Sequence, residues 1–311
     1  MKTSFPKDKI GILLLENIHP RAEALLKAEG FSVRANAKAL EGKELAAAAS
    51  GAHLVGIRSK TSLSKEVLAG APHLAVGCFC IGTNQVDVAD ACGRGVPVFN
   101  APFSNTRSVA ELTIAEIVAL SRHLLHKCVL LHTKGEWDKS AEGSREVRGK
   151  TLGIVGYGHI GSQVSVLAEA MGMRVVYYDI VPKLPLGNAR QVRTLEELLA
   201  HADAVTLHVP ETRQTRGMIG PAQLKKMKPG AVLINNARGS VVDVPALAAA
   251  VRDGKLAGAA IDVFPVEPAG KGELFESELR GLKNVQRGMG ALTEIGRLHG
   301  FESGRVNLQQ R

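Results

Sequence analysis

The sequence predicts an α/β protein with two domains, each built on a parallel sheet. Short apolar runs alternate with helical patterns over residues 1–104, and the same alternation returns after residue 150. A glycine-rich turn opens the second series, and 311 residues suffice for two separate cores. We therefore expect one domain over 1–104, a second over 105–285, and a tail over 286–311.

The first domain is predicted to be a small α/β unit with a parallel sheet. Its strands are expected at residues 10–15, 31–34, 53–57, 74–80 and 96–100. Helices are expected at 21–29, 43–50 and 65–69. Ser108 and Glu111 then have the spacing of a capping box, which predicts a helix of about 25 residues from there to about His132. A helix of that length suits a bridge between the two domains.

The second domain opens with a stretch whose order of elements is typical of dinucleotide binding. An apolar run at 152–155 is followed by Gly156, Gly158 and Gly161, a helical pattern, and a strand that ends in Asp179. In this spacing the first glycine permits a tight turn, the second lets backbone approach a pyrophosphate, and the third lets helix pack on strand. An ordinary glycine-rich turn is the alternative, but all five features occur in order. We predict a Rossmann-like domain.

Asp179 indicates which dinucleotide is bound. It stands eighteen residues after Gly161, where it can accept hydrogen bonds from both ribose hydroxyls. Its charge would repel a 2′-phosphate, and no arginine stands beside it in the sequence. NAD is therefore favoured over NADP.

The rest of the second domain places polar residues where ligands are expected. Strands predicted at 204–209, 231–235, 258–263 and 284–285 bring the sheet to six strands, with helices at 195–200, 221–227 and 244–252 between them. Ligands of such sheets bind at the carboxyl ends of the strands. The polar residues at those ends are His208, Asn236, Arg238 and Asp262.

Arg238 and Glu267 have positions that suit catalysis. A guanidinium just past a buried strand can hold a carboxylate through two hydrogen bonds and polarise an adjacent carbonyl. Glu267 lies in a loop with Pro265 and Pro268, where a carboxylate could orient a histidine and raise its pKa. Each also has a simpler interpretation, as a surface arginine or as a solvated loop acid.

The composition restricts the classes of partner. Aromatic residues make up only 4% of the chain, which argues against a base-stacking nucleic-acid surface. The net charge of +9 is spread along the sequence, which favours an electropositive site for small anions. The four cysteines lack metal or redox spacing and are expected to be buried thiols in a reducing compartment. With no targeting segment or membrane span expected, we predict a cytoplasmic protein without metal, nucleic-acid or membrane partners.

Seven stretches together resemble the D-isomer-specific 2-hydroxy acid dehydrogenases. They are IRSKT (57–61), GCFCIGTNQVD (77–87), FNAPFSNTRSVAE (99–111), GYGHIG (156–161), LHVPET (207–212), LINNARGSVVD (233–243) and GAAIDVFPVEPA (258–269). The likeness is to members that oxidise the 2-hydroxyl of 3-phosphoglycerate to 3-phosphohydroxypyruvate with NAD, the step that opens serine biosynthesis. It implies a smaller substrate domain, an NAD-binding domain, and a homo-oligomer formed through the 108–150 region.

The resemblance also assigns residues to roles. Arg238 and Glu267 match two of the family's three catalytic residues. Those expected to hold NAD are Gly156, Gly158, His159, Ile160, Gly161, Asp179, His208, Val209, Pro210, Asn236, Ala237, Arg238 and Asp262. Those expected to meet the phosphate or carboxylate of a phosphorylated 2-hydroxy acid are Arg58, Ser59, Lys60, Ile81, Gly82 and Asn105. A basic loop on a solvated edge is the alternative for the basic members of this last group.

The tail departs from the family. In other members a Pro-His-Ile-Gly-Gly segment carries the catalytic histidine after the last strand, whereas this chain has no histidine from 286 until His299. Three interpretations remain open: His299 takes the role, another histidine such as His208 or one from a partner subunit takes it, or the chain binds its ligands and turns over poorly. The last gives the alternative function, an NAD(H)-binding sensor. The regulatory domain that many members carry is not expected.

Overall fold

Parallel strands form both sheets of this protein. A computed structural model describes residues 5–71, 75–267 and 275–287. They form two units that divide between Asn105 and Thr106. Within the described ranges one sheet has five strands and the other has seven, and each strand is parallel to its neighbours. The predicted fold class, two Rossmann-like parallel-sheet domains, is confirmed.

The first unit is the five-stranded sheet with helices between its strands. The strands are β1 (Gly11–Leu14), β2 (Ser32–Ala35), β3 (Leu54–Ile57), β4 (Ala75–Cys78) and β5 (Val98–Asn100). The helices are α1 (Pro20–Ala28), α2 (Gly42–Ala49), α3 (Lys65–Ala69) and α4 (Val88–Gly93), and a 3-10 turn precedes β1 at Lys7–Lys9. The spatial order β2-β1-β3-β4-β5 puts β1 beside β3. Helix α4 was not predicted, since it is short and buries only Ala91.

The second unit is the seven-stranded sheet. Its helices are α5 (Thr106–Ser121), α6 (Leu124–Lys134), α7 (His159–Ala170), α8 (Leu195–His201), α9 (Pro221–Lys226) and α10 (Val244–Arg252), with a 3-10 turn at Gly239–Val241. Its strands are β6 (Thr151–Val155), β7 (Arg174–Tyr178), β8 (Arg190–Gln191), β9 (Ala204–Leu207), β10 (Ala231–Asn235), β11 (Leu256–Ile261) and β12 (Val285–Arg287). The order β12-β11-β10-β9-β6-β7-β8 contains that of a doubly wound dinucleotide-binding sheet.

Both faces of the larger sheet are covered by apolar side chains. On one face Ile117 of α5 and Val164 of α7 are buried in a single cluster with Ile154. On the other face Leu198 of α8 and Leu247 of α10 are buried with Leu233. Because both faces are covered, we expect a ligand to bind at the ends of the strands.

Three predictions about the elements were wrong. The helix predicted from 108 to about 132 is two helices, α5 and α6, because His123 adopts a left-handed conformation with φ 52° and ψ 29°. The carbonyl oxygen of Ser121 there accepts a hydrogen bond from Arg145 N at 2.8 Å. Helix α5 starts at Thr106, so Ser108 lies within its first turn and does not cap it. The larger sheet gains a seventh strand, β8, whose two residues are both exposed and give no apolar signal.

The cysteines are only partly as expected. Cys78 is buried and Cys80 half-buried, but Cys92 and Cys128 are exposed. Cys128 is exposed because α6, on which it lies, buries none of its residues. No helix in the described ranges is long and apolar enough to cross a membrane.

Candidate functional site

Five residues predicted to bind NAD lie together at the carboxyl ends of the strands of the larger sheet. Gly156, Asp179, His208, Asn236 and Asp262 each directly follow a strand, namely β6, β7, β9, β10 and β11. The strands are parallel, so their carboxyl ends meet at one edge of the sheet. Strands β6 and β9 are neighbours, while β7 and β10 lie on opposite sides of that pair. This is the switch point at which doubly wound sheets bind their ligands.

The glycine-rich turn is shaped partly by the protein and partly for a ligand. Gly156 has φ +92°, and a Cβ there would lie 2.6 Å from the carbonyl oxygen of His208. A Cβ on Gly161 would lie 2.3 Å from the carbonyl oxygen of Gly156. A Cβ on Gly158, by contrast, would meet no protein atom within 4 Å. Packing therefore requires the outer glycines, whereas Gly158 leaves space that a ligand can occupy.

Helix α7 begins at this open space. Gly158 is its N-cap residue, and no side chain caps the helix there. The N-terminus of an α-helix carries unpaired backbone N–H groups and a partial positive charge, both of which attract phosphate. The turn, the space at Gly158 and the helix N-terminus together fit the pyrophosphate of a dinucleotide.

Asp179 is fixed beside the same turn. Its Oδ2 accepts a hydrogen bond from Tyr157 N at 2.8 Å, and its Oδ1 accepts one from Val181 N at 3.0 Å. The ring of Tyr157 stacks on that of Tyr177, with centroids 3.9 Å apart, and its hydroxyl bonds to Ser165 Oγ at 2.7 Å. Each carboxylate oxygen can accept a further hydrogen bond. The Asp179 carboxylate is thus oriented and retains the capacity to bind ribose hydroxyls.

The loop after β10 holds Arg238 by means of a residue that the sequence did not single out. Asn235 is only 1% exposed, and its Nδ2 donates to the carbonyl oxygen of Arg238 at 3.0 Å while its Oδ1 accepts from Ala237 N at 3.2 Å. Arg238 Nη1 donates to the carbonyl oxygen of Ala237 at 2.7 Å, which uses one of the five guanidinium donors. The sequence feature that could have identified Asn235 is a polar residue at the end of an otherwise apolar strand.

The loops that carry Arg238 and Glu267 are in direct contact. A Cβ on Gly239 would lie 2.1 Å from the carbonyl carbon of Phe264, so only glycine allows this approach of the two backbones. Glu267 Oε1 accepts a hydrogen bond from Phe264 N at 3.2 Å, which closes its own loop. The side chain of Glu267 is exposed and that of Arg238 is half-buried. One guanidinium and one carboxylate are therefore carried by two loops that pack together.

The candidate substrate residues lie in the first unit. Arg58 directly follows β3 and is half-buried, and Ser59 and Lys60 beside it are exposed. Ile81 and Gly82 follow β4 and are half-buried, with the carbonyl oxygen of Ile81 bonded to Asn100 Nδ2 at 2.8 Å. Asn105 is only 5% exposed, and no hydrogen bond to its Oδ1 is found within the described residues. The basic loop and the 81–82 segment thus lie after neighbouring strands.

Comparison with known proteins shows the family. Residues 114–286 match the family described as D-isomer specific 2-hydroxyacid dehydrogenase, NAD binding domain. A D-3-phosphoglycerate dehydrogenase of Haemophilus influenzae is 56% identical over 286 residues, which cover 91% of this chain and 70% of that protein. The chain belongs to the D-isomer specific 2-hydroxyacid dehydrogenases. It is therefore an NAD-dependent oxidoreductase that acts on 2-hydroxyacids, and the predicted cofactor, NAD, is confirmed.

Solved structures agree with this D-2-hydroxyacid dehydrogenase assignment. A protein of Thermus thermophilus is similar with a TM-score of 0.82 and 32% identity, covering 93% of this chain and 92% of that one. The D-lactate dehydrogenase of Aquifex aeolicus, complexed with NAD and lactic acid, has a TM-score of 0.78 and 29% identity, with 92% of each chain covered. The similarity in both cases extends over both units.

The surroundings of His208 bear on its candidacy as the acid–base group of this dehydrogenase. Its Nε2 bonds to Thr206 Oγ1 at 3.1 Å, and its Nδ1 is buried. Burial lowers the pKa of His208 to about 3. An imidazole whose pKa is lowered by burial is a weaker base and a less populated proton donor than an ordinary histidine, which argues against His208 in this role. His299 lies outside the described residues, as does the rest of 288–311.

A buried acid that the sequence did not single out contacts Asn236 at the carboxyl edge of the larger sheet. Glu116 of α5 is 5% exposed, and its Oε2 accepts a hydrogen bond from Asn236 Nδ2 at 2.8 Å. The same Nδ2 donates to Thr113 Oγ1 at 3.1 Å. Burial raises the pKa of Glu116 to about 7, Asn236 opposes the shift, and Asp262 adds to it. The sequence feature that could have identified Glu116 is an acid on the apolar face of a helix.

The raised pKa predicts a stability change with pH. When folded, Glu116 ionises near pH 7, whereas in the unfolded chain it ionises near pH 4.5. The folded state therefore holds the Glu116 proton more tightly than the unfolded chain does. The resulting contribution to the free energy of unfolding is complete below pH 4.5 and is lost as the pH rises to 7, by an amount on the order of 3 kcal/mol. We expect Glu116→Gln to gain stability over the wild type as the pH rises through this window, as measured by urea unfolding. Glu111→Gln, on the exposed face of α5, is the control; parallel pH profiles for wild type and Glu116→Gln would contradict the raised pKa.

Proposed function

We propose that this dehydrogenase oxidises the 2-hydroxyl of 3-phosphoglycerate to 3-phosphohydroxypyruvate, the first step of serine biosynthesis. The observation that carries the proposal is the 56% identity to a D-3-phosphoglycerate dehydrogenase over 91% of the chain. The basic loop after β3 supports it, because Arg58 and Lys60 supply two cations for a phosphate. In this proposal residues 1–104 form the substrate domain and 105–285 the NAD-binding domain.

The roles of the residues follow from their chemistry. NAD, when bound, accepts the hydride that leaves C2 of the substrate. Gly158 and the N-terminus of α7 hold the pyrophosphate, and Asp179 holds the adenosine ribose. His159, Ile160, Val209, Pro210, Ala237 and the polar residues at the strand ends complete the cofactor site.

Arg238 and Glu267 serve the reacting end of the substrate. Arg238 binds the substrate carboxylate through two hydrogen bonds and polarises the neighbouring C2 oxygen. Glu267 stabilises the charged form of the acid–base imidazole that takes the hydroxyl proton. Because the burial of His208 argues against it as that imidazole, we favour His299 or a histidine of a partner subunit.

A comparison of turnover between 3-phosphoglycerate and the same acid without its phosphate tests the proposed substrate. We expect NADH to form from NAD and 3-phosphoglycerate, with a kcat/KM about 100-fold above that for D-glycerate, which lacks only the phosphate. Two charged hydrogen bonds worth about 1.5 kcal/mol each give that ratio. NADH absorbance at steady state measures it, and equal kcat/KM values for the two acids would contradict the substrate assignment.

The second candidate function is an NAD(H)-binding sensor. It is motivated by residues 286–298, which contain no histidine where the family has its catalytic one. Loss of an acid–base group slows a reaction about 10²–10⁴-fold, while ligand binding can persist. Tight NADH binding without turnover of any 2-hydroxyacid would favour the sensor. Turnover that is unchanged in His299→Ala would exclude His299 as the acid–base residue.

We also propose that the chain forms a homo-oligomer and is cytoplasmic. Helix α6 has eleven residues and buries none of them. It exposes four large apolar side chains, and a fifth follows it: Leu124, Leu125, Val129, Leu131 and Trp137. A second copy of the chain would remove this apolar surface from water. Sedimentation velocity tests this association.

The cytoplasmic location is supported by the cysteines. All four are free thiols, as is usual in a reducing compartment.

A further inference from the structure

A buried carboxylate holds the basic loop of the first unit from within. Glu16 lies two residues beyond the end of β1, and β1 is the neighbour of β3. Its Oε1 accepts hydrogen bonds from Arg58 N and Thr61 N, and its Oε2 accepts one from Lys60 N, all at 2.9 Å. One side chain thus binds three backbone N–H groups of a four-residue loop that is more than forty residues away in sequence.

The Glu16 carboxylate is buried and ionised. The residue is 8% exposed. Burial, the largest influence, would raise the pKa of Glu16, but the hydrogen bonds from Thr61, Lys60 and Arg58 together lower it below its ordinary value. A buried carboxylate is costly unless it is fully hydrogen-bonded. The three N–H donors therefore make this position tolerable for an acid, and the acid in turn fixes the loop.

The backbone at Glu16 is in a sparsely populated conformation. Glu16 and Asn17 both have positive φ, at 59° and 51°. Non-glycine residues in this region cost of order 1 kcal/mol each and persist only where the surrounding structure requires them. Glu16 N donates to the carbonyl oxygen of Lys38 at 3.1 Å, which helps to hold this turn. The turn directs the Glu16 side chain to the loop after β3.

A second polar side chain holds the carbonyl groups of the same loop. Gln85 Nε2 donates to the carbonyl oxygen of Arg58 at 2.7 Å and to that of Gly82 at 3.2 Å. Gln85 therefore ties the basic loop to the 81–82 segment, and Glu16 satisfies the N–H groups of the basic loop. Neither side chain would attract an anionic substrate, since that of Gln85 is neutral and that of Glu16 is negatively charged.

We propose that Glu16, assisted by Gln85, is a positioning residue that presents Arg58 and Lys60 to the phosphate or carboxylate of the substrate. The inference rests on the proposed function, which makes 58–61 the anion-binding loop. In this proposal Glu16 does not touch the anion; it binds the loop backbone and so fixes the loop that carries the two cationic side chains. Preorganised donors bind an anion more tightly than mobile ones, because less conformational entropy is lost on binding.

The sign of the effect separates positioning from simple electrostatics. Removal of a negative charge close to a cationic loop strengthens the attraction for an anion if charge alone matters. Removal of the group that holds the loop weakens anion binding if positioning matters. Glu16→Gln keeps the shape of the side chain but replaces one acceptor oxygen with an NH₂ donor, which faces backbone N–H groups and cannot bond to them.

The test uses the full chain with NADH bound, and compares Glu16→Gln with wild type by titration calorimetry with 3-phosphoglycerate. We expect the Kd for 3-phosphoglycerate to rise at least about 10-fold, since hydrogen bonds of a charged acceptor to the loop are lost. The Kd for NADH should stay unchanged. The control is Glu44→Gln, an exposed acid of α2 in the same unit, which removes the same charge and should leave both constants unchanged. Binding of 3-phosphoglycerate to Glu16→Gln that is equal to or tighter than wild type would overturn the proposal.

Two further measurements keep the outcomes distinct. Amide hydrogen exchange at Arg58, Lys60 and Thr61 should accelerate in Glu16→Gln without any ligand, and unchanged exchange there would also overturn the proposal. If wild type itself binds no 3-phosphoglycerate, the proposed function fails, while the exchange rates still show whether Glu16 holds the loop.

If Glu16→Gln does not fold, Gln85→Leu takes its place. A higher Kd for 3-phosphoglycerate at constant NADH affinity supports the inference, and an unchanged Kd overturns it.

Discussion

A Gly158→Ala variant should fold as the wild type does and bind NADH about 100-fold more weakly. Its new Cβ meets no protein atom within 4 Å, so the fold has room for it. In our proposal the pyrophosphate occupies the same space as it approaches the N-terminus of α7. Displacing the phosphates from one or two backbone N–H groups loses charged hydrogen bonds of about 1.5–3 kcal/mol each, and 3 kcal/mol corresponds to a factor of about 100. Alanine is a poorer N-cap than glycine, which costs less than about 1 kcal/mol of stability.

Two other glycine variants make this result specific. Gly93→Ala is the matched control, because its Cβ also meets nothing within 4 Å but lies at the end of α4 in the first unit. It should leave NADH affinity unchanged and should not lower the unfolding free energy, since alanine favours a helix more than glycine does. Gly161→Ala should instead lower the unfolding free energy, since its Cβ would be 2.3 Å from a backbone oxygen. Fluorescence titration of NADH and thermal unfolding measure the two effects, and wild-type affinity in Gly158→Ala would contradict the placement of the pyrophosphate.

The second large effect is expected at Arg238. If its guanidinium holds the substrate carboxylate through two charged hydrogen bonds, Arg238→Gln should lower kcat/KM by about 10²–10⁴-fold, which corresponds to about 1.5–3 kcal/mol for each bond. Arg238→Lys keeps the charge but cannot form the paired contact, and should lose about 10–100-fold. NADH affinity should change much less than kcat/KM in both variants.

The control for charge is Arg252→Gln, at the exposed end of α10 in the same unit. It removes one positive charge without altering the loop after β10, and its kcat/KM should equal that of wild type. Equal losses in Arg238→Lys and Arg238→Gln would show that the fork geometry, not the charge, carries the contact. If Arg238→Gln retained full kcat/KM, Arg238 would not be the carboxylate ligand.

Much of the fold could be predicted because its signals are local. Apolar runs of four to six residues mark the buried strands, and the strand at 231–235 was predicted with the observed bounds. The glycine spacing marks the turn before α7 because its outer glycines are required by contacts within a few residues or at the neighbouring strand. Polar residues directly after apolar strands marked the carboxyl edge of the sheet, where we propose that NAD binds.

The rest depends on partners distant in sequence. Glu16 and Glu116 look like ordinary acids until Arg58 and Asn236, 42 and 120 residues away, are seen to donate to them. The break at His123 could not be predicted, because neither glycine nor proline occurs there and the 144–145 segment bonds to the end of α5. Local sequence carries no record of these contacts.

Titration calorimetry of NADH and of NADPH into the wild-type chain tests the central claim most directly. The claim is that a dinucleotide binds at the carboxyl edge of the larger sheet, with its pyrophosphate at α7 and its ribose on Asp179. We predict one NADH bound per chain, with NADPH at least about 10-fold weaker because Asp179 repels the 2′-phosphate. Folded protein that binds no NADH, or that binds NADPH as tightly as NADH, would contradict it.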